Sequence, residues 1–330
     1  MEKTTAKGGG LQTVWNKVKN KPNFSGLGAL LPLALIVILL TIFTDTFMKT
    51  DNIMQVLRQA AVYAIMGVGM TFVLITGGID LSQGSLLAFC CVLTGLTINA
   101  TGNMWLGMLV GILGGAAIGF VNGAIIAYVK IPAFIMTLGS MYIIRGLTLY
   151  MTNSTQVAVN HLTFKVIGQG FLLGIPVPVY IFIIIGYIAH LVLTKTATGR
   201  YIFAIGSNTE TAKLSGVRIE KNTIKVYVLS GIAIGMASIV YLSRLSAAQP
   251  TAGQSYEMEA VAATVIGGTS ISGGEGGILG TLIGAVIVSI IRNGLVLLGV
   301  QSFFTQMVVG AIIVCAVALD ITSKRFAARK

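Results

Sequence analysis

The chain has 330 residues, of which 55% are hydrophobic and only 10% charged, and its 41 glycines come on top of the hydrophobic set. Soluble domains carry roughly 25% charged residues, so a soluble globule, a disordered chain and a disulfide scaffold are excluded and an integral membrane protein is indicated. The formal net charge of +12 is read as the cytoplasmic marking of a membrane protein, not as a nucleic-acid footprint.

Apolar runs follow in chain order at 27–44, 53–76, 84–98, 104–128, 133–150, 177–194, 226–247, 258–272, 277–298 and 302–321. At about 20 apolar residues per crossing, they predict an all-α polytopic membrane protein of about ten spans. The first run follows Lys17, Lys19 and Lys21 and ends in Phe43-Thr44-Asp45 without a small-x-small cleavage site, so it reads as a retained span. The third and eighth runs are short, and Gly267-Gly268 interrupts the eighth, which predicts broken or re-entrant elements.

With the N-terminus inside, sixteen Lys and Arg fall on inner segments and two, Lys49 and Lys165, on outer ones. This bias predicts both termini in the cytoplasm. Residues 1–26 read as a cytoplasmic tail, 27–322 as one transmembrane domain and 323–330 as a basic tail. Connection 151–176 is polar and outside, and connection 195–225 is basic and inside.

Glycines at 111, 115, 119 and 123, at 276, 280 and 284, and at 231 and 235 recur every four residues. Each series lies on one helix face and forms a groove that admits a second backbone. The segment Gly77-Gly78-Ile79-Asp80-Leu81-Ser82-Gln83-Gly84 is echoed by Gly267-Gly268-Thr269-Ser270-Ile271-Ser272-Gly273-Gly274. Ten alternating spans place both on the cytoplasmic side. Inverted five-span halves would place them on opposite sides, and the two readings stand as alternatives.

No G-x-x-x-x-G-K-[S/T], H-E-x-x-H, CxxC or G-x-S-x-G pattern occurs. Cys90, Cys91 and Cys315 lie in apolar runs and read as buried thiols, and His161 and His190 are isolated. No catalytic or metal-ligating set is expected, and no cofactor in this chain. None of the ten acidic residues sits clearly at a span centre, although Asp80, Glu259 and Glu275 move inward if the span boundaries slip; this argues against ion coupling and places the energy source outside the chain.

In the inner loop, Glu210, Ala212 and Gly216 have the spacing E-x-A-x-x-x-G. Asn208 or Thr209 can cap a short helix with Glu210 in its first turn and Gly216 at its end. Such a helix suits a groove on another protein; an ordinary polar loop is the plain alternative. Arg58, Arg145, Arg244 and Arg292 fall in the outer parts of their spans. Each must snorkel or face protein.

The segments ITGGIDLSQGS (75–85), AIGSNTETAKLSGV (204–217), QPTAGQSYEMEAVAATVIGGTSISGGEGGILGTLIGA (249–285) and NGLVLLGV (293–300) resemble the permease subunits of ribose-type ABC importers, in the monosaccharide and branched-chain amino-acid permease family. The resemblance runs over nearly the whole chain after the tail. It implies a bacterial cytoplasmic-membrane permease working as a dimer with a second permease subunit and surrounded by membrane lipid. It further implies a cytoplasmic ABC ATPase subunit that binds ATP and Mg, an extracytoplasmic sugar-binding protein, and no nucleic acid. It implies that Gly206, Asn208, Glu210, Ala212, Lys213 and Gly216 belong to the ATPase-coupling loop, where Thr211 replaces a second Ala of the broader motif. Gly78, Asp80, Ser82, Gly267, Gly268 and Ser270 match family turns and are candidates for translocation or gating. Arg58 and Arg244, with Arg145 and Arg292 behind them, are candidates for docking the binding protein; the last two could equally hold the outer gate together. A permease for another small solute (branched-chain amino acid, nucleoside or signalling furanose) and a stand-alone secondary transporter are the alternatives.

Overall fold

The computed structural model describes residues 30–301 and seven single positions between 304 and 318. The two expected tails, the tenth run and Cys315 lie outside the described residues or almost wholly so. Long helices form wherever the apolar runs are uninterrupted: α1 (Leu30–Phe43), α2 (Thr50–Ile75), α3 (Gln83–Thr101), α4 (Met104–Val129) and α5 (Ala133–Met151). A segment of short elements follows, with β1 (Val157–Ala158), α6 (Leu162–Gln169), β2 (Phe171–Leu172) and β3 (Ile175–Pro176). The chain continues through α7 (Val177–Lys195), α8 (Ala197–Ser207), α9 (Thr209–Leu214), α10 (Ile219–Leu245), β4 (Ala247–Ala248), α11 (Tyr256–Ile266) and α12 (Ile278–Leu297). Seven of these helices are long and apolar enough to cross a membrane, so the protein is an all-α, multi-pass membrane protein.

Local chemistry sets the ends. Asn103 caps α4, its Oδ1 accepting from Trp105 N at 2.9 Å, and α3 stops at Gly102 in the left-handed region (φ +66°). β1 and β4 form a short antiparallel pair, Val157 opposite Ala248, which ties the segment between α5 and α7 to the end of α10.

The glycine grooves are where the helices meet most closely. A Cβ on Gly115 would collide with the Gly231 carbonyl, and one on Gly119 with the Tyr227 carbonyl, so α4 and α10 touch backbone to backbone. Gly280 and Gly284 do the same for α12 against Gly267 and Ala263 at the end of α11. Around this packing α2 is almost wholly buried, whereas α4, α5 and α7 expose most of their apolar surface.

Two sequence expectations change and a third, the broken eighth run, holds. The third run is a full 19-residue helix. α10 begins at Ile219, so the inner connection ends before 225, because the polar residues 220–225 continue the helix. The eighth run yields only the 11-residue α11, about 16 Å long at ~1.5 Å per residue and half of a ~30 Å hydrocarbon core. Its Gly267-Gly268 pair ends it, Gly268 standing at φ +88°.

Candidate functional site

The loop between α7 and α10 folds into two short helices of different character. α8 turns Ile202 and Ile205 into the protein. α9 is capped by Asn208, whose Oδ1 accepts from Thr211 N at 2.8 Å, which decides between the two candidate caps. Glu210 and Lys213 are exposed and Ala212 is buried. The helix ends with Val217 N donating to Ala212 O (3.1 Å) and Gly216 N to Lys213 O (3.0 Å), with Gly216 at φ +82°. This paired closure requires a left-handed residue, so the E-x-A-x-x-x-G spacing encodes one capped turn that presents Glu210 and Gly216 outward.

The end of α8 meets both glycine turns at one point. Gly274 N donates to Ile75 O at 2.9 Å, and a Cβ on Gly206 would collide with that same carbonyl. A Cβ on Gly273 would lie 3.0 Å from both Gly206 O and Gly77 N. The two echoed turns therefore meet at one end of the bundle, and the loop carrying α9 rests on them.

The turn after α2 runs into a buried polar cluster. Asp80 Oδ1 accepts from Ser82 N (3.1 Å) and Ser82 Oγ (2.6 Å), and Oδ2 accepts from Ser230 Oγ at 3.0 Å. Gln83 Nε2 donates to Ser230 Oγ at 3.1 Å and Asn122 Nδ2 to Ser82 Oγ at 3.2 Å. Thr137 Oγ1 accepts from Leu81 N at 3.1 Å. Three helices, α4, α5 and α10, thus hold the turn. Ser230 stands eleven residues into α10, about 16 Å along its axis, so the cluster is well inside the bundle. Gly78 lies against Tyr227, whose hydroxyl a Cβ there would approach to 2.9 Å. In the second turn, Gly267 packs on Gly280 and Ser270 is buried, its N–H donating to Glu275 O at 3.0 Å.

The four arginines divide. Arg292 Nη1 donates to Glu259 Oε1 at 2.8 Å and to the Tyr63 hydroxyl at 3.0 Å, joining α12, α11 and α2. Arg145 Nη1 donates to Pro250 O (2.6 Å) and Ala252 O (2.8 Å), bracing the segment before α11. Arg58 Nη2 donates to Gln169 O at 2.8 Å, and the guanidinium lies 4.6 Å from the Phe171 ring centre. Gln169 Nε2 in turn donates to Arg244 O at 2.9 Å, so Arg58 and Arg244 flank the end of α6.

Sequence reasoning put no acidic residue clearly at a span centre but allowed Asp80 and Glu259 to lie further inward; the structure buries both, and Glu257 with them. The helices break at 76–82 and before 256, so residues that look like loops are enclosed. Asn122, Ser230 and Glu257 were missed as site residues. A lone Asn or Ser in an apolar helix was the available signal. Among the described residues no group of three or more His, Cys, Asp or Glu could hold a metal ion.

A family model described as "Branched-chain amino acid transport system / permease component" matches residues 52–317. A ribose import permease protein of Bacillus subtilis (strain 168) is 41% identical over 313 residues, covering 94% of this chain and 97% of that protein. One from Escherichia coli (strain K12) is 42% identical over 296 residues, covering 88% and 92%. The D-allose transport system permease protein of the same strain is 36% identical over 277 residues, covering 84% and 85%. No solved structure matches the chain. A chain matched from Asn52 onward along most of its length, whose glycine motifs build the helix contacts and turns just described, belongs to the branched-chain amino acid transport system / permease component family.

Proposed function

We propose that the chain is the membrane-spanning subunit of an ATP-driven importer for a monosaccharide, a ribose-like pentose or related aldose. The observation that carries this is the identity of about two residues in five with ribose import permeases over nearly the whole chain. In this reading the chain has ten spans with both termini cytoplasmic, including a single transmembrane domain over 27–322, and it pairs with a second copy. A separate cytoplasmic ATPase subunit holds ATP and Mg, and a soluble binding protein delivers the sugar from outside.

The loop geometry supports a coupling role. α9 offers a capped turn to the ATPase, and α8 transmits its movement to the Ile75, Gly206 and Gly274 junction. From there the 76–83 turn and its Asp80 cluster, and the 267–277 turn with its Gly267, Gly268 and Ser270, act as the moving parts of the pathway. A proton- or sodium-coupled carrier would use the buried carboxylates instead; Glu259 is paired with Arg292 and Asp80 accepts three hydrogen bonds, so of the buried three only Glu257 lacks a side-chain partner among the described residues.

Assembly tests this. Glu210→Lys and Gly216→Val are expected to insert normally and to lose at least tenfold of the ATPase subunit in copurification from detergent. Wild-type copurification in both removes the docking role of α9.

On the outer side, Arg58 and Arg244 are the proposed contacts for acidic groups of the binding protein. Exposed ion pairs contribute about 0–1 kcal/mol and desolvated interfacial ones cost about 2–5 kcal/mol to break. Arg58→Ala and Arg244→Ala are therefore expected to weaken binding-protein affinity several-fold in nanodiscs, and wild-type binding is expected to weaken with salt. Unchanged affinity in both variants assigns these arginines to the outer packing around α6 alone.

A further inference from the structure

A polar cleft of about 310 Å³ opens beside α5, lined by Ser85 of α3, Tyr142 and Arg145 of α5, and Gln254, Ser255 and Glu257 at the start of α11. Its volume lies at the lower end of small-molecule sites, ~300–1,000 Å³. It sits at neither end of the bundle. Glu257 is separated from the end of α11 at Ile266 by nine residues, about 14 Å, and Arg145 from the end of α5 at Met151 by six, about 9 Å, at ~1.5 Å per residue.

The lining carries hydrogen-bonding capacity that the protein itself does not use. Arg145 spends Nη1 on Pro250 O and Ala252 O, and among the described residues nothing accepts from its Nε or Nη2. No side chain among the described residues hydrogen-bonds the Glu257 carboxylate, and Arg292–Glu259 is the only ion pair among them. Arg145 and Glu257 thus border one cleft as opposite charges that attract without a direct ion pair, with the exposed Gln254 and Ser255 beside them.

The backbone is shaped to hold them there. Gly253 (φ +69°) and Ser255 (φ +64°) both occupy the left-handed region, which a serine adopts only under constraint. A Cβ on Gly84 would collide with the Glu257 carboxylate and the Gly253 carbonyl, so glycine alone lets α3 approach the carboxylate.

Charged groups facing hydrocarbon are costly, so the mouth of this cleft faces water or protein. Resting on the function proposed above, we propose that the cleft holds the hydroxyl groups of the monosaccharide in transit. Glu257 accepts from sugar hydroxyls, Arg145 Nη2 and Nε donate to them, Gln254 does both, and the exposed ring of Tyr142 covers the sugar's C–H face. A neutral polyol needs donors and acceptors together, and a site left uncommitted by internal pairing can release it again.

The test uses the complete importer, with ATPase subunit and binding protein, in proteoliposomes with D-ribose outside and ATP inside. Glu257→Gln and Gln254→Leu are expected to slow uptake at least tenfold while the stimulation of ATP hydrolysis by loaded binding protein stays within twofold of wild type. Wild-type uptake in both variants overturns the proposal, as does loss of uptake matched by loss of ATPase stimulation. A second arm does not depend on transport. In a background free of Cys90, Cys91 and Cys315, Ser255→Cys is expected to react with a membrane-impermeant thiol reagent. A cysteine that stays unlabelled shows a cleft closed to water and also overturns the proposal. Failure of the wild-type importer to take up ribose, with Ser255→Cys labelled, strikes the assignment of ribose-like sugars and leaves the water-filled cleft standing.

Discussion

Gly231→Val is expected to abolish recovery of folded protein from detergent. The glycine lies where α10 crosses α4, and its added Cβ would collide with the Gly115 carbonyl. Ordinary overpacking costs about 1–3 kcal/mol because side chains can shift. Here the obstacle is the backbone of a helix fixed by Gly119 and Gly123 against the same partner, so relief requires the two helices to part along their length. Those helices also carry Asn122 and Ser230, so parting them breaks the Asp80 cluster as well. Gly139→Val on α5 is the control, since a Cβ there meets nothing within 4 Å. Size-exclusion profiles and thermal unfolding of the two variants check this: aggregated or absent protein for Gly231→Val, and a wild-type profile for Gly139→Val. Equal profiles remove close backbone packing as the basis of the fold.

Gly206→Val is expected to give folded protein that still binds the ATPase subunit but takes up sugar at least tenfold more slowly. Its Cβ would strike the Ile75 carbonyl and lie 2.6 Å from Gly274 N, breaking the hydrogen bond that joins α2 to the second turn. α9 and its Asn208 cap lie outside the clash, so docking survives. Gly216→Val acts the other way. No neighbour lies within 4 Å of its Cβ, but its φ of +82° disfavours a β-branched residue by about 1–2 kcal/mol, and α9 loses its ending. Two glycines on one loop should therefore separate: Gly206 in uptake with binding retained, Gly216 in binding itself. Copurification and uptake measured on the same preparations distinguish them, and an identical loss of both activities in the two variants contradicts the division.

Helix contacts were legible because four-residue glycine spacing has a direct geometric meaning: Gly115, Gly119, Gly280 and Gly284 each meet another backbone. The capped turn at 208–217 was equally legible, since Asn, Glu and Gly have position-specific local roles. Burial of the broken segments was not. Asp80 and Glu257 sit next to turn residues, and hydropathy alone assigns such positions to span ends. Only the fold shows that the chain after α2 turns back into the bundle at 80–83 and that α11 starts inside it. The outer segment was read as polar, yet it exposes Phe171, Leu172 and Leu173, because a two-residue hairpin leaves no second layer to cover them. On sequence, Arg145 and Arg292 stand behind Arg58 and Arg244, with docking and holding the outer gate left as alternatives for them. Their partners, two backbone carbonyls and Glu259, lie more than thirty residues away in sequence, where spacing carries no signal.

The central claim is that this chain moves sugar with energy supplied by another subunit. Uptake of labelled ribose into proteoliposomes tests it most directly, comparing the chain alone, under an imposed proton or sodium gradient, with the chain assembled with its ATPase subunit, ATP inside and binding protein outside. The account predicts no accumulation by the chain alone under either gradient and accumulation only in the full assembly, lost when ATP or the binding protein is omitted. Accumulation by the chain alone, abolished by an ionophore, would contradict it.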